Sequence, residues 1–136
     1  MEFFNPIDRT NWEREEYFTH FFSDVPCTYS MTVRLDITQL KRSQQKIYPA
    51  LLHRMAKVVN NHPEFRTAYN RQGQLGVFSQ MMPCYTIFHK DTHTFSSIWT
   101  PYAEDYNLFL KDYQDDGTVW ACPQKGGKTQ CPRKLL

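Results

Sequence analysis

No Cys-x-x-Cys pair occurs in these 136 residues, whose four cysteines stand apart at positions 27, 84, 122 and 131. That spacing supplies neither a zinc framework nor a disulfide scaffold, so a reducing compartment suits the chain and no bound metal is expected. No stretch approaches the roughly 20 apolar residues of a membrane-spanning helix, which leaves a membrane partner without support. Nor is there a run of one charge. Sixteen basic and fourteen acidic residues are interspersed, for a net charge of +2, and without a basic stripe nucleic acid has no electrostatic footprint to meet. Met1 to Asn11 lacks a basic region followed by an apolar run, so no secretory leader is expected and the cytoplasm is the expected location. No internal repeat is visible.

Aromatic residues, by contrast, are abundant, at 15% of the chain and distributed along its body. A chain of this length and composition can bury a core and is expected to fold as one domain. Thr10 and Glu13 have the spacing of a capping box. The run after them brings Trp12, Tyr17, Phe18, Phe21 and Phe22 near one side of an amphipathic helix reaching Phe22, stopped by Asp24-Val25-Pro26. "CTYSMTVRLDI" (27–37) alternates strictly, with Tyr29, Met31, Val33, Leu35 and Ile37 on one face. It is the clearest strand pattern of the sequence. Thr38 can cap a short helix through Gln45. Pro49 suits the first turn of a stronger one, with Leu51, Leu52, Met55, Val58 and Val59 as its apolar side and Asn61-His62-Pro63 as its stop. Short strands at Arg66–Tyr69 and Leu75–Phe78 follow, joined by "NRQG", and a helix runs from beyond Thr100-Pro101 to about Gln114.

"CYTIFHKDTHTFSSIW" (84–99) places His89 and His93 four residues apart. On a helix that spacing would converge two rings on a metal. The β-branched and aromatic residues on both sides, with Lys90-Asp91-Thr92 between them, predict a β-hairpin instead, with ordinary turn histidines held apart. From Gly117 onward the pattern loses any period and carries three of the five glycines and two Cys-Pro pairs. Its Gly-Gly-Lys-Thr is no phosphate loop, because Cys122 stands where that motif needs glycine. The expected division is residues 1–116 as the folded part and 117–136 as a divergent, disordered tail.

Several phrases in order carry a resemblance: "NWEREEYF" (11–18), "CTYSMTVRLDIT" (27–38), "KIYPALLHRMAKVVNNHPEFRTAY" (46–69), "GQLGVF" (73–78) and "PCYTIFHKDTHTFSSIWTPY" (83–102). Through them the first 116 residues resemble chloramphenicol acetyltransferase. The resemblance implies an α/β fold, a two-layer sandwich of helices on a mixed β-sheet like that of CoA-dependent acyltransferases, incomplete in this chain. It implies chloramphenicol and acetyl-CoA as substrates, acetyl-CoA acting as co-substrate with no bound cofactor, and a homotrimer. By matching position, Phe21, Val25, Cys27, Tyr29, Phe95 and Ser97 line the drug pocket. An apolar, aromatic wall suits the nitroaromatic ring and dichloroacetyl group, although alternation alone would bury a residue such as Tyr29 in a core. Arg14 matches a structural arginine that pairs with an aspartate near the family's catalytic histidine.

That histidine belongs to a His-His-x-x-x-Asp-Gly motif, where it takes the proton from the attacking 3-hydroxyl. These residues contain no His-His, and Lys111-Asp112 stand where it should precede Asp116-Gly117. None of His20, His53, His62, His89 and His93 matches the catalytic position, so no catalytic residue is assigned and the chain alone is expected to be inactive. A frame change within the gene is one account of the tail, and a fused linker is the other.

Overall fold

The computed structural model describes residues 4–120, with side chains through residue 116. Three short strands, β1 (Phe4–Pro6), β2 (Thr67–Tyr69) and β3 (Leu75–Phe78), form an antiparallel sheet in the order β1-β3-β2. The expected turn joins β2 to β3. The Asn70 side-chain oxygen accepts from the backbone N–H groups of Gln72 and Gln74 at 3.0 and 2.9 Å, and Gly73 takes the left-handed φ of +75° that closes the turn. Phe4 packs on Phe78 across the sheet, with ring centroids 4.8 Å apart.

The second sheet is the expected hairpin, β4 (Cys84–His89) and β5 (Thr94–Trp99), in register from Cys84↔Trp99 to His89↔Thr94. His93 closes its turn with φ of +55°. The α/β class holds, and every pairing among the described residues is antiparallel, in two separate sheets rather than one mixed sheet.

Two long helices, α3 (Ile47–Asn61) and α4 (Tyr106–Trp120), meet the hairpin through a continuous series of rings. Tyr48 lies 6.1 Å from Tyr85, Tyr85 stacks on Tyr113 at 5.2 Å, and Tyr113 neighbours Phe109 at 6.4 Å. Phe109 in turn lies 5.1 Å from His53, whose ring also meets Tyr102 and Tyr106. Among the described residues Phe109, Ile98 and Thr100 are the largest fully buried side chains. The core is therefore an aromatic spine between α3, β4 and α4.

Several elements differ from the sequence reading. The buried face of α3 is Pro49, Ala50, His53 and Ala56, while Met55 and Val58 face solvent. The cause is tertiary. His53 Nε2–H donates to the Ala103 carbonyl at 3.0 Å, and Asn60 clamps Met81 from both sides, its amide donating to the Met81 carbonyl at 2.9 Å and its oxygen accepting from the Met81 N–H at 2.7 Å. Those bonds choose the face. The alternating segment 27–37 pairs with no described strand and stays exposed, with Tyr29 87% accessible. A strand exists only by hydrogen bonding to a neighbour, and period-2 patterning supplies none.

The first helix is shorter than expected. α1 (Glu15–Thr19) passes into a π-helical turn, His20–Asp24, and Arg14 rather than Thr10 precedes it, without a side-chain cap. The capping box does not form because the Asp8 carboxylate takes the Thr10 N–H and the Asn11 amide, at 3.1 and 2.7 Å. Both bonds hold Asp8 below its usual carboxylate range, the Asn11 one foremost. In α2 (Thr38–Arg42) Thr38 is the first helical residue rather than the cap, and Ile37 precedes it without a side-chain cap; Asp36 accepts from the Thr38 N–H at 2.9 Å, and the positive φ of Gln44 ends the segment before Gln45. At the other end α4 runs through Gly117 to Trp120, beyond the expected stop near Gln114. One glycine costs a helix interior about 1 kcal/mol, too little to break a helix packed upstream. The rest of the expected tail, residues 121–136, lies outside the described residues.

Candidate functional site

The hairpin sorts its side chains by alternation. Tyr85, Ile87 and His89 of β4 share the inner face with Ile98, Ser96 and Thr94, their partners on β5. Cys84, Thr86 and Phe88 share the outer face with Trp99, Ser97 and Phe95. Two of the expected pocket residues, Phe95 and Ser97, thus stand on one surface, two positions apart. Phe95 is 68% accessible and its cross-strand partner Phe88 61%, while Ser97 is half-buried. An aromatic pair beside a hydroxyl is able to hold an aromatic ring and orient one polar group of a ligand.

The two histidines of this stretch do not converge. His89 faces inward, is buried, and holds Nε2 2.8 Å from the Ser96 hydroxyl, so it is not the solvated turn histidine expected. His93 occupies the turn. Among the described residues no group of His, Cys, Asp and Glu is arranged to hold a metal ion.

A cleft of about 550 Å³ lies beside α1, lined by Trp12, Arg14, Tyr17, Phe18, Phe21, Glu64 and Thr67. Ring packing builds its wall: Phe18 stacks on Phe22 at 5.1 Å, and Phe22 reaches Tyr69 of β2 at 5.6 Å. Arg9 fixes α1 from outside. Its guanidinium forks onto the Glu15 carboxylate, with Nε to Oε2 at 2.8 Å, reaches Thr19 Oγ1 at 3.2 Å and lies 5.9 Å over the Phe18 ring. The Arg9 hydrogen bond, foremost, holds Glu15 below the usual carboxylate range. Arg66, next to the lining residue Thr67, donates to the Phe78 and Ser79 carbonyls at 2.6 and 3.0 Å.

The expected site residues fall on three separate elements. Phe21 and Arg14 line the cleft. Arg14 forms no ion pair with any described residue. Val25, Cys27 and Tyr29 lie exposed at the start of the unpaired segment, and Phe95 and Ser97 lie on the hairpin. The cleft also uses Trp12, Tyr17, Phe18, Glu64 and Thr67, which the sequence reading did not assign to a site. The first three carried a visible signal, since they sit on the apolar side of the N-terminal helical pattern. Glu64 and Thr67 carried none, because the link from α1 to residues about 50 positions later is tertiary.

A family model described as chloramphenicol acetyltransferase matches residues 1–125. A chloramphenicol acetyltransferase from Campylobacter coli is 58% identical over 113 residues, 83% of this chain and 55% of that protein. One from Clostridium perfringens is 56% identical over 134 residues, 98% of this chain and 65% of that protein. A solved structure titled chloramphenicol acetyltransferase shares the fold, with a TM-score of 0.67 at 22% identity over 91% of this chain and 59% of that one. The chain thus spans between half and two thirds of the length of these relatives. No helix among the described residues is long and apolar enough to cross a membrane.

Proposed function

This chain belongs to the chloramphenicol acetyltransferase family, and we propose that it supplies the acceptor side of acetyl transfer from acetyl-CoA to the 3-hydroxyl of chloramphenicol. The observation that carries this reading is the outer face of the hairpin, where Phe95, Phe88 and Ser97 offer an exposed aromatic pair beside a hydroxyl. Phe21, Val25, Cys27 and Tyr29 complete the proposed pocket, Phe21 from the wall of the α1 cleft. In this reading the aromatic groups hold the nitrophenyl ring, and Ser97 orients a polar group of the drug. Arg14 stands ready to pair with a carboxylate supplied by polypeptide outside these 136 residues. The working assembly is a homotrimer in the cytoplasm.

No described residue is offered as the general base. His53 and His89 are buried with their Nε2 atoms engaged, and the sequence contains no His-His. Losing acid–base help alone costs about 10²–10⁴ in rate, so the chain by itself binds drug without turning it over. The exposed stripe of Tyr29, Met31, Val33 and Leu35 favours a second reading, a non-catalytic remnant that self-associates through this unpaired segment.

One experiment separates these outcomes: chloramphenicol binding by equilibrium dialysis, with thiol release from acetyl-CoA followed on the same preparation, free of any full-length enzyme. Binding without thiol release is expected. Thiol release would overturn the assignment of no base, and absence of binding by a monodisperse chain would overturn the acceptor pocket.

A further inference from the structure

We propose that a hydrogen-bond chain, Tyr85–Thr100–Asp116, buried at its first link and half-buried at its second, is a positioning device that ties α4 to the hairpin and thereby fixes the hairpin's outer face, with Phe95 and Ser97, where the acceptor is to lie. Its second half rests on the acetyltransferase reading; the tie between α4 and the hairpin stands without it.

Thr100 follows β5 directly and is 0% accessible. Its Oγ1 donates to Asp116 Oδ2 at 2.8 Å and lies 2.8 Å from the Tyr85 hydroxyl. Proton counting fixes the polarity. A carboxylate only accepts, and Thr100 has a single hydroxyl proton, which goes to Asp116. Tyr85 must therefore donate to Thr100. Burial, foremost, pushes the Tyr85 hydroxyl up to about 12, so it remains a donor throughout the neutral range.

Three elements meet in this one chain: Tyr85 on β4, Thr100 at the end of β5, and Asp116 on α4. Nearby contacts restrain the same junction. The Thr100 N–H donates to the Pro83 carbonyl at 3.3 Å, and Tyr113, one turn before Asp116, stacks on the Tyr85 ring at 5.2 Å. Ring packing resists separation but tolerates sliding, whereas a directional hydrogen bond resists both. Tyr85 and Ile98 alternate with Thr86, Ser97 and Trp99 along their strands, so a shift of the hairpin on α4 would carry the outer face with it. Thr100 is sealed from solvent and touches no candidate substrate surface. Its role is to hold, not to react.

The test uses the whole 136-residue chain with Thr100→Val, which keeps the shape and removes the hydroxyl, and Thr100→Ser, which keeps the hydroxyl. Two quantities are read: chloramphenicol affinity, and amide hydrogen exchange over residues 94–99. A lost buried hydrogen bond is worth about tenfold in an equilibrium. Thr100→Val is therefore expected to weaken chloramphenicol about tenfold and to speed exchange by a similar factor, with Thr100→Ser restoring both. A Thr100→Val chain with a lower melting temperature but unchanged affinity and exchange would overturn the proposal, as would failure of Thr100→Ser to restore. If the unaltered chain binds no chloramphenicol, the acceptor reading fails and with it the second half of the proposal, and exchange alone then decides whether the tie exists. Should Thr100→Val not fold, Tyr85→Phe removes only the first link and is read the same way; both values equal to the unaltered chain would sink the idea.

Discussion

Gly76→Ala is expected to destabilise this protein by about 2 kcal/mol, and the structure shows where that cost arises. Gly76 sits on the central strand of its sheet, opposite Pro6 on one side and Ala68 on the other. A methyl group there would stand 2.3 and 2.7 Å from the Phe4 ring and 2.5 Å from the Asn5 carbonyl oxygen. Optimal carbon contacts lie at about 3.5–4.0 Å, so the overlap is of the order of 1 Å. The Phe4 ring has little room to turn because it packs on Phe78. The carbonyl oxygen is backbone and moves only if β1 moves.

Two routes of relief are open. If β1 stays, overpacking costs about 1–3 kcal/mol, toward the upper end because the clash is with main chain. If β1 leaves, the sheet loses its ladder bonds and the 2.9 Å bond from the Ile7 N–H to the Leu75 carbonyl, each worth about 1 kcal/mol net, together with the packing of Phe4. Losing β1 therefore costs about 4 kcal/mol or more, so the strained sheet is the cheaper route at about 2–3 kcal/mol, from which alanine's stiffening of the unfolded chain returns about 0.4–1 kcal/mol. Urea unfolding with a fixed m-value measures the result. Gly73→Ala is the control: nothing lies within 4 Å of its Cβ, but its φ of +75° is left-handed, a penalty of about 1 kcal/mol. A Gly76→Ala chain within about 0.5 kcal/mol of the parent, inside the range of neutral surface changes, would refute the steric argument. So would a larger loss at Gly73.

Two further outcomes are expected. Burial, foremost, raises the Tyr85 hydroxyl to a pKa of about 12 when folded against 10.0 when free, so this group leaves stability unchanged below pH 10 and lowers it as pH rises from 10 through 12, by about 3 kcal/mol at most. Tyr85→Phe should flatten the fall in stability across that window, and parallel curves for the two chains would contradict the assignment. The paired change Met31→Lys and Leu35→Lys alters side chains that face solvent and should shift stability by less than about 0.5 kcal/mol while reducing self-association seen by light scattering. A loss of several kcal/mol would place both residues in a core.

What could be read from the sequence divides along the range of the interactions. The two hairpins were legible because each is closed by its own turn: Asn70 caps the N–H groups of Gln72 and Gln74, and Lys90 to His93 reverse the chain between two aromatic runs. The α3 helix was legible in its bounds but not in its buried face. Hydrophobicity pointed to Met55 and Val58. The buried side instead follows His53 and Asn60, whose partners Ala103 and Met81 lie 50 and 21 residues away. The same limit governs segment 27–37, where alternation names the two faces of a strand but cannot supply the neighbour that makes it one. The site inherits this division. Phe95 and Ser97 ride on a locally closed hairpin and share a face in the chain alone. Val25, Cys27 and Tyr29 lie in or beside a segment that pairs with no described strand, so of the proposed acceptor wall only the hairpin half follows from local rules.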